Sequence, residues 1–253
     1  MARFIVWLGL FLLVAADVFS QAEHDPIPQP CVAADEFIRP DEPLEHVAAA
    51  ITRGGPVNLL AVGSATTVGD QVGVSPETSF PMRMLAALRA AMPRISFKMT
   101  VRGGRGLTAE DMVPLINSAF AEQHYHLVVW QTGTVEAVRG LRPDAMQAAL
   151  QTGIERAQQA GADIVLVDPQ FSRFLRANAD LDPYEATLEQ TAATPGVVLF
   201  RRFDLMHDWA DDGRVDLERA SKADRPQTLA MLNACLGKAL AQFVLNGAGV
   251  QQH

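Results

Sequence analysis

The chemistry of this chain is best sought in the stretch Val57–Gly69, which reads VNLLAVGSATTVG. The stretch begins as an apolar strand, breaks at Gly63 and continues through small and hydroxyl residues toward a helix. A turn of this kind is where an α/β protein that attacks acyl groups places its serine nucleophile. Here Ser64 and Thr66 flank an alanine, Ala65, so the turn is either a working nucleophile site or the backbone of one without its nucleophile.

Other polar groups follow other apolar runs. The RGGRG loop contains Arg102 and Arg105, which either hold an anionic group of a ligand or are ordinary surface arginines. Asp168 follows a fourth apolar run and is expected either to shape the floor of a cleft or to end a strand. His207 is the histidine expected nearest this end of the fold, with a half-exposed helical position as the alternative.

Five short apolar runs alternate with helical patterns, which predicts one parallel sheet with helices on both faces. The predicted strands are Val57–Val62, Ile95–Val101, Leu127–Gln131, Ile164–Val167 and Val197–Phe200. Ligands of such sheets bind beyond the carboxyl ends of the strands. The loops expected to form the site are therefore 63–69, 102–108, 131–136, 168–172 and 204–227. Trp130 lies within a strand pattern and is expected in the core.

The order of these loops resembles that of the SGNH (GDSL) hydrolases, a family of extracytoplasmic esterases and acyl-ester hydrolases, over about residues 57–245. The resemblance implies a single-domain, three-layer α/β/α fold of flavodoxin-like type with a five-stranded parallel sheet. It also implies a serine turn after the first strand, a glycine loop after the second and a Gly-x-Asn loop after the third. An Asp-x-x-His segment is implied before the last helix.

Carried over position by position, the family's chemical groups are only partly present. The nucleophile position falls on Ala65, and the oxyanion-binding glycine falls on Gly106. The oxyanion-binding asparagine position falls on Val135. The aspartate that orients the base is kept as Asp224, but the position of the base itself falls on Gln227.

These substitutions predict an exported, catalytically inactive esterase-like protein. Its role would be to bind a carbohydrate or acyl-bearing ligand, or to support a partner enzyme. The alternative is an active hydrolase of acyl or acetyl esters with a rearranged site that uses Ser64 and His207. A third possibility is a purely structural module with a closed cleft. Because the residue after a strand points to a different face from its neighbour, the Ser64 hydroxyl is expected to aim into the fold or sideways.

No cofactor or metal is expected, because no histidine or cysteine pair lies at ligand spacing. The remaining histidines lie in the arm, the first helix, the amino end of the sheet and the tail: His24, His46, His124, His126 and His253. The formal net charge of the 253-residue chain is −8, which argues against nucleic acid as a partner.

The N-terminus has the pattern of a secretory signal peptide over residues 1–22, with Arg3 before the apolar run Phe4–Ala16 and small residues before Glu23. An uncleaved anchor is the alternative. We therefore expect a periplasmic or secreted protein without a membrane span after cleavage. The predicted organisation is a signal peptide (1–22), an irregular Pro-rich arm (23–43) and an SGNH-hydrolase-like domain (44–247).

Two cysteines follow the predicted signal peptide, Cys31 and Cys235. An oxidising compartment and an even count favour a disulfide between them, and two separate buried thiols are the alternative. A bridge would tie the N-terminal arm to the last helix.

Overall fold

The computed structural model describes residues 31–71 and 74–250 of the chain. The predicted signal peptide, the first part of the predicted arm, His24 and His253 lie outside the described residues.

A single five-stranded sheet forms the middle layer of the protein. Its strands are parallel and lie in the order β2-β1-β3-β4-β5. The strands are rich in valine, leucine and isoleucine, and in β1, β3 and β4 almost every residue is buried, as expected for a sheet covered on both faces. Their bounds are β1 Val57–Gly63, β2 Phe97–Gly103, β3 Leu127–Gln131, β4 Asp163–Val167 and β5 Val197–Phe200.

Helices cover both faces of the sheet and divide the core into two apolar layers. α2, α4, α10 and α11 pack on one face, and α5, α7 and α9 pack on the other. The helices are α1 Asp35–Ile38, α2 Glu45–Thr52, α3 Ala65–Val68, α4 Phe80–Ala91, α5 Ala109–Glu122, α6 Thr134–Arg139, α7 Pro143–Gln159, α8 Arg173–Asn178, α9 Asp182–Ala192, α10 Arg202–Asp211 and α11 Arg225–Gly247, with a 3₁₀ turn at Pro76–Thr78. The predicted three-layer α/β/α fold with a five-stranded parallel sheet is thereby confirmed.

The close packing of α11 on α4 depends on a glycine. A Cβ atom added at Gly237 of α11 would lie 2.6 Å from the backbone nitrogen of Met84 in α4, which is too close for any other residue. α11 is also long and apolar enough to cross a membrane by length and composition, but 67% of its most apolar window is buried in this core. Its hydrophobicity is therefore accounted for by packing against α4 and the sheet.

A disulfide joins Cys31 to Cys235, as predicted. Cys235 lies in α11 and is fully buried, and the bridge spans 204 residues of sequence. The N-terminal arm is therefore fixed to the core helix at its cysteine.

The arm was expected to be irregular, but its described part contains α1. Arg39 pairs with Asp35 in the first turn of this helix, at 2.7 Å. Phe37 and Ile38 pack on the core. The helix forms because its apolar side chains pack on the core. The surrounding prolines and acidic residues give no indication of this packing in the sequence.

Candidate functional site

The turn after β1 has the backbone of a nucleophile turn. β1 ends at Gly63, Ser64 adopts an extended conformation, and Ala65 is the first residue of α3. A Cβ atom at Gly63 would lie 2.1 Å from Oγ1 of Thr67, so glycine is required where the chain folds back on itself. Ala65 is half-buried and provides no oxygen at this position.

The hydroxyl groups around Ala65 converge on a single amide in the interior. Gln131 is the last residue of β3 and is 1% exposed. Its Oε1 lies 3.1 Å from the hydroxyls of Ser64 and Thr67, 3.3 Å from the hydroxyl of Thr66 and 3.2 Å from the Ser64 backbone nitrogen. A carbonyl oxygen offers two lone pairs, so these donors share one acceptor. The Ser64 hydroxyl is therefore engaged inside the fold.

Gly106 and Val135 lie where an oxyanion site was expected, Gly106 in the loop after β2 and Val135 in α6 after β3. Gly106 has a positive φ of 76°, and Nη2 of Arg139 lies 2.9 Å from the position that a Cβ would occupy there. Val135 is the second residue of α6 and is half-buried. Its isopropyl group cannot donate a hydrogen bond, so this loop provides no side-chain donor at the asparagine position.

A buried carboxylate, which the sequence did not indicate, holds this region together. Glu136 is 2% exposed and follows Val135 in α6. Its Oε1 accepts hydrogen bonds from the backbone N–H of Ala109 at 2.5 Å and from the Thr132 hydroxyl at 2.9 Å. Its Oε2 accepts from the Gly133 N–H at 2.9 Å. Glu136 thus fixes the start of α5 relative to the end of β3; its capping-box spacing from Gly133 was the available sequence signal.

Asp224 and Gln227 lie at the start of α11 and are exposed. The Asp224 carboxylate accepts a hydrogen bond from the Ser221 hydroxyl at 2.7 Å and so closes a local turn. Gln227 lies in the first turn of α11. Within residues 31–71 and 74–250, no side-chain hydrogen bond joins Asp224 to Gln227 or either residue to the turn after β1.

His207 lies on the outer side of α10 and is directed toward its own helix. Its Nε2 is 3.3 Å from the Asp211 carboxylate, and its ring packs against Phe171 with the centroids 4.6 Å apart. Its side chain is 49% exposed. In the described part of the chain, no hydrogen bond connects it to Ser64.

At the opposite, amino end of the sheet, His126 is buried. Its Nδ1 accepts the backbone N–H of Asn58 at 3.1 Å, and its ring packs edge-on against His124. Burial lowers the pKa of His126, and the neighbouring His124 acts in the same direction. No group of three or more His, Cys, Asp or Glu side chains within residues 31–71 and 74–250 is arranged to hold a metal ion.

The two arginines of the RGGRG loop are engaged with acidic side chains of the protein. Arg102 pairs with Glu122 at 2.7 Å. Arg105 pairs with Asp70 at 3.1 Å and is 66% exposed. These contacts agree with the alternative that Arg102 and Arg105 are ordinary surface arginines.

An arginine that the sequence did not indicate lies deeper in the protein. Arg202 is the first residue of α10 and is 2% exposed. Its Nη1 lies 3.4 Å from the Thr66 hydroxyl, while Nε and Nη2 have no hydrogen-bond partner among residues 31–71 and 74–250. Burial lowers the pKa of this guanidinium to about 10, and Asp168 opposes the shift. Two adjacent arginines at the end of β5 were the only sequence signal.

Asp168, at the end of β4, is the counterpart of Arg202. It is buried and accepts the backbone N–H of Phe203 at 3.0 Å, so it caps α10. Burial raises its pKa to about 8, and the positive charge of Arg202 acts against that rise. The carboxyl group therefore links the end of β4 to the start of α10.

A cavity of about 90 Å³ lies beside the nucleophile turn, on the side of α10 and α11. Thr66 and Arg202 line it together with Asn233 of α11, which is 3% exposed and whose Nδ2 lacks a partner in the described residues. The rest of its wall is largely apolar, from Phe80, Phe171, Met206, Ala210, Val215, Leu217, Leu229, Leu232 and Leu236.

Together these features define an α/β/α protein with a five-stranded parallel sheet, whose candidate site lies at the carboxyl ends of the strands after a strand-to-helix turn. The chain belongs to the non-GDSL lipase-like family, whose family model matches residues 30–250. No curated protein matches the chain.

Solved structures share the fold, and two of the three compared below are described as esterases. Axe2, an acetylxylan esterase from Geobacillus stearothermophilus, is 15% identical with a TM-score of 0.59, over 78% of this chain and 95% of that one. AlinE4, an SGNH-hydrolase family esterase, is 21% identical with a TM-score of 0.52, over 62% and 81%. TesA is 19% identical with a TM-score of 0.52, over 71% and 97%. The similarity to SGNH hydrolases is thereby confirmed, at identities that establish the fold.

Proposed function

We propose that this protein is an exported, non-hydrolytic member of its family that uses the esterase fold to bind a ligand or to support a partner enzyme. One observation carries the proposal. Ala65 stands at the start of α3, where the nucleophile is expected, and the hydroxyl next to it, on Ser64, is held by Gln131 inside the fold.

The remaining substitutions support the same conclusion. Removing the nucleophile of a serine hydrolase lowers kcat by about 10⁶, and further losses within the triad add little. A missing oxyanion donor, as at Val135, costs about 10²–10³ in rate. The amide of Gln227 cannot take a proton near neutral pH, so it cannot serve as a base.

The fold retains features suited to binding. The turn after β1 is fixed by the close packing at Gly63 and by the hydrogen bonds to Gln131, and a cavity lined by both apolar and polar side chains lies next to it. Axe2 is described as an acetylxylan esterase, which makes an acetylated or acyl-bearing carbohydrate the first ligand class to examine. The cavity beside Thr66 also favours a ligand-binding role over a purely structural module.

Hydrolysis of short-chain nitrophenyl esters by the purified protein tests the loss of activity. We expect turnover no faster than that of a Ser64→Ala variant, which serves as the matched control. Turnover that disappears in Ser64→Ala would establish Ser64 as a nucleophile and overturn the proposal. A serine-directed fluorophosphonate probe gives a second readout, and we expect no labelling of the folded protein.

The alternative, an active esterase that uses Ser64 with His207, receives little support from the geometry. Ser64 is hydrogen-bonded to Gln131, and His207 is paired with Asp211. Fluorophosphonate labelling that maps to Ser64 would favour this alternative directly.

A revertant tests the assignment of positions. Ala65→Ser, Val135→Asn and Gln227→His together should restore nucleophile, oxyanion donor and base. We expect the triple variant to hydrolyse nitrophenyl acetate at least about 10²-fold faster than the parent, because a positioned base alone contributes at least that much. A folded triple variant without activity would show that the assignment of positions is wrong or that more than these three groups is missing.

Export is the second part of the proposal. It rests on the signal-peptide pattern of residues 1–22 and on the Cys31–Cys235 disulfide, which an oxidising compartment maintains. N-terminal sequencing of the protein recovered outside the cytoplasm should begin at Glu23. Recovery of the intact N-terminus in the membrane fraction would instead indicate an anchored protein.

A further inference from the structure

At the amino end of the sheet, a histidine side chain takes part in the hydrogen bonding of β1. His126 directly precedes β3 and is 9% exposed, and its Nδ1 accepts the backbone N–H of Asn58 at 3.1 Å. The backbone N–H of His126 donates in turn to the Asn58 carbonyl at 2.8 Å. An imidazole nitrogen accepts a hydrogen bond only while it carries no proton, so this contact requires a neutral ring with its proton on Nε2.

Protonation of His126 removes this acceptor. Both ring nitrogens of the imidazolium are donors, so an N–H on Nδ1 faces the N–H of Asn58. The two donors repel each other, and the Asn58 N–H loses the ring as its hydrogen-bond partner. Asn58 is the second residue of β1, so the loss falls on the start of the strand whose other end, at Gly63, leads into the candidate site.

Two further histidines lie beside His126. The rings of His124 and His126 pack edge to face, with their centroids 4.7 Å apart. The Cε1 atoms of His46 and His124 lie 3.7 and 3.9 Å from the point that a Cβ would occupy at Gly161, so these two rings converge as well. The ordinary pKa of histidine is about 6.5, so acid adds positive charge to several rings of this cluster in the same pH range.

The surroundings of His126 favour its neutral form. Burial lowers the pKa of His126, and the Asn58 backbone opposes this shift only in part. The carboxylate of Asp163 on β4 is engaged at the start of α2, where it accepts the backbone N–H groups of His46 and Val47 at 3.2 and 2.9 Å. Three positively charged or protonatable neighbours lower the pKa of His126 further: His124, Arg53 and His46.

Acid should therefore destabilise the fold through His126. The unfolded chain protonates this ring near pH 6.5, about the ordinary pKa of histidine, whereas in the folded protein the lowered pKa keeps the ring neutral to a lower pH. Its contribution to stability is complete above about pH 6.5 and is lost as the pH falls below that value.

We propose that His126 is an acid-sensitive switch, in which proton uptake at Nδ1 releases the Asn58 N–H and loosens the amino end of β1. The switch lies at the end of the sheet opposite to the candidate site. It is independent of whether the protein binds a ligand or hydrolyses an ester.

His126→Asn is the matched variant, because the Oδ1 atom of asparagine is an acceptor close to the position of Nδ1 and does not titrate. Urea unfolding from about pH 7.5 to about pH 5 compares it with the wild type, and the other titrating groups are common to both proteins. Below about pH 6.5 the unfolding constant of the wild type should rise relative to that of the variant, by up to about tenfold per pH unit, since the unfolded chain binds one more proton.

His207→Asn is the control, because this histidine is 49% exposed and lies outside the cluster, and it should keep the pH dependence of the wild type. The same pH dependence in wild type and His126→Asn would overturn the proposal.

NMR of the folded wild type locates the response and applies even if His126→Asn does not fold. The amide proton of Asn58 should move upfield as it loses its acceptor, with the same midpoint as the titration of the His126 ring. The amide of Val165, in the middle of β4, should keep its shift. An Asn58 amide that does not follow the titration of the His126 ring would overturn the switch.

Discussion

Replacing Arg202 by methionine should stabilise the protein, which is the opposite of the usual effect of truncating a buried side chain. Burial lowers the pKa of this guanidinium from its ordinary value to about 10. Each pKa unit corresponds to 1.36 kcal/mol, so keeping Arg202 charged in the folded state costs about 3 kcal/mol. Below pH 10 the folded and unfolded chains both carry the proton and the full cost is present. The cost declines as the pH rises above 10.

Methionine keeps most of the aliphatic packing while removing the charge. The substitution also removes the 3.4 Å hydrogen bond to Thr66 and the placement of the guanidinium 5.9 Å from the ring centroid of Phe80. Together these two interactions contribute about 1 kcal/mol. Asp168 is left without its counter-charge, but its raised pKa of about 8 keeps it mainly neutral at pH 7. The net gain in the free energy of unfolding should be about 2 kcal/mol.

Urea unfolding at pH 7 measures this gain. Arg201→Met is the matched control and should change the free energy of unfolding by less than about 1 kcal/mol, since it breaks only an exposed ion pair with Glu189. A drop of about 3–5 kcal/mol in Arg202→Met would refute the reasoning. It would show that Arg202 and Asp168 form a compensated buried ion pair.

Three further predictions concern stability. Replacing Cys31 and Cys235 by alanine should lower the free energy of unfolding, measured in urea titrations, by up to about 5 kcal/mol. The reason is that the disulfide closes a loop of 204 residues. A decrease of less than about 1 kcal/mol would contradict the argument that the cross-link stabilises the protein. Gln131→Leu leaves the hydroxyls of Ser64 and Thr67 without an acceptor and should lower the free energy of unfolding by about 2–4 kcal/mol. Gln227→Leu, at an exposed position, is the control and should leave it unchanged. Equal decreases in the two variants would contradict a stabilising role of the hydrogen bonds to Gln131. In the folded protein the pKa of Asp168 is raised from 3.8 to about 8. Between these pH values the carboxyl group ionises in the unfolded chain but stays protonated in the folded one, so the free energy of unfolding of the wild type should fall as the pH rises. Asp168→Asn should remove that pH dependence. If the free energies of unfolding of the wild type and of Asp168→Asn change with pH in parallel, the raised pKa of Asp168 is refuted.

Much of the fold follows from the apolar runs. The predicted strands Leu127–Gln131 and Val197–Phe200 coincide with β3 and β5. The predicted strand Ile95–Val101 is displaced, because β2 covers Phe97–Gly103. β2 is an edge strand, and most of its residues are half-exposed or exposed. Its bounds are set by pairing with β1, where Val57 faces Phe97 and Gly63 faces Gly103, and a hydrophobic pattern does not report that register.

Two of the short helices, α6 and α8, were not predicted. α6 and α8 have six residues each, too few for helical periodicity to appear in the sequence. α6 is held by Glu136, which binds the Gly133 N–H and reaches the start of α5. Such an element exists because buried polar contacts hold it, and a local propensity scan does not detect them.

What the sequence determined by itself is the type of residue at each expected chemical position. Alanine has no oxygen in any fold, so Ala65 excludes an oxygen nucleophile at that position. The sequence also contained the pairing of Cys31 with Cys235 as one of two possibilities, and the structure selected it.

Only the tertiary structure decided which polar groups are satisfied and which are not. Ser64 and Gln131 are 67 residues apart, yet their contact turns the Ser64 hydroxyl into an internal hydrogen bond. Arg202 and Thr66 are 136 residues apart, and Asn233 comes from another helix. Burial and the absence of a partner are properties of the packed elements together, because they depend on what distant segments place around a side chain. The sequence therefore indicated where a site could be, and the packing decided which polar groups around Ala65 are engaged inside the fold.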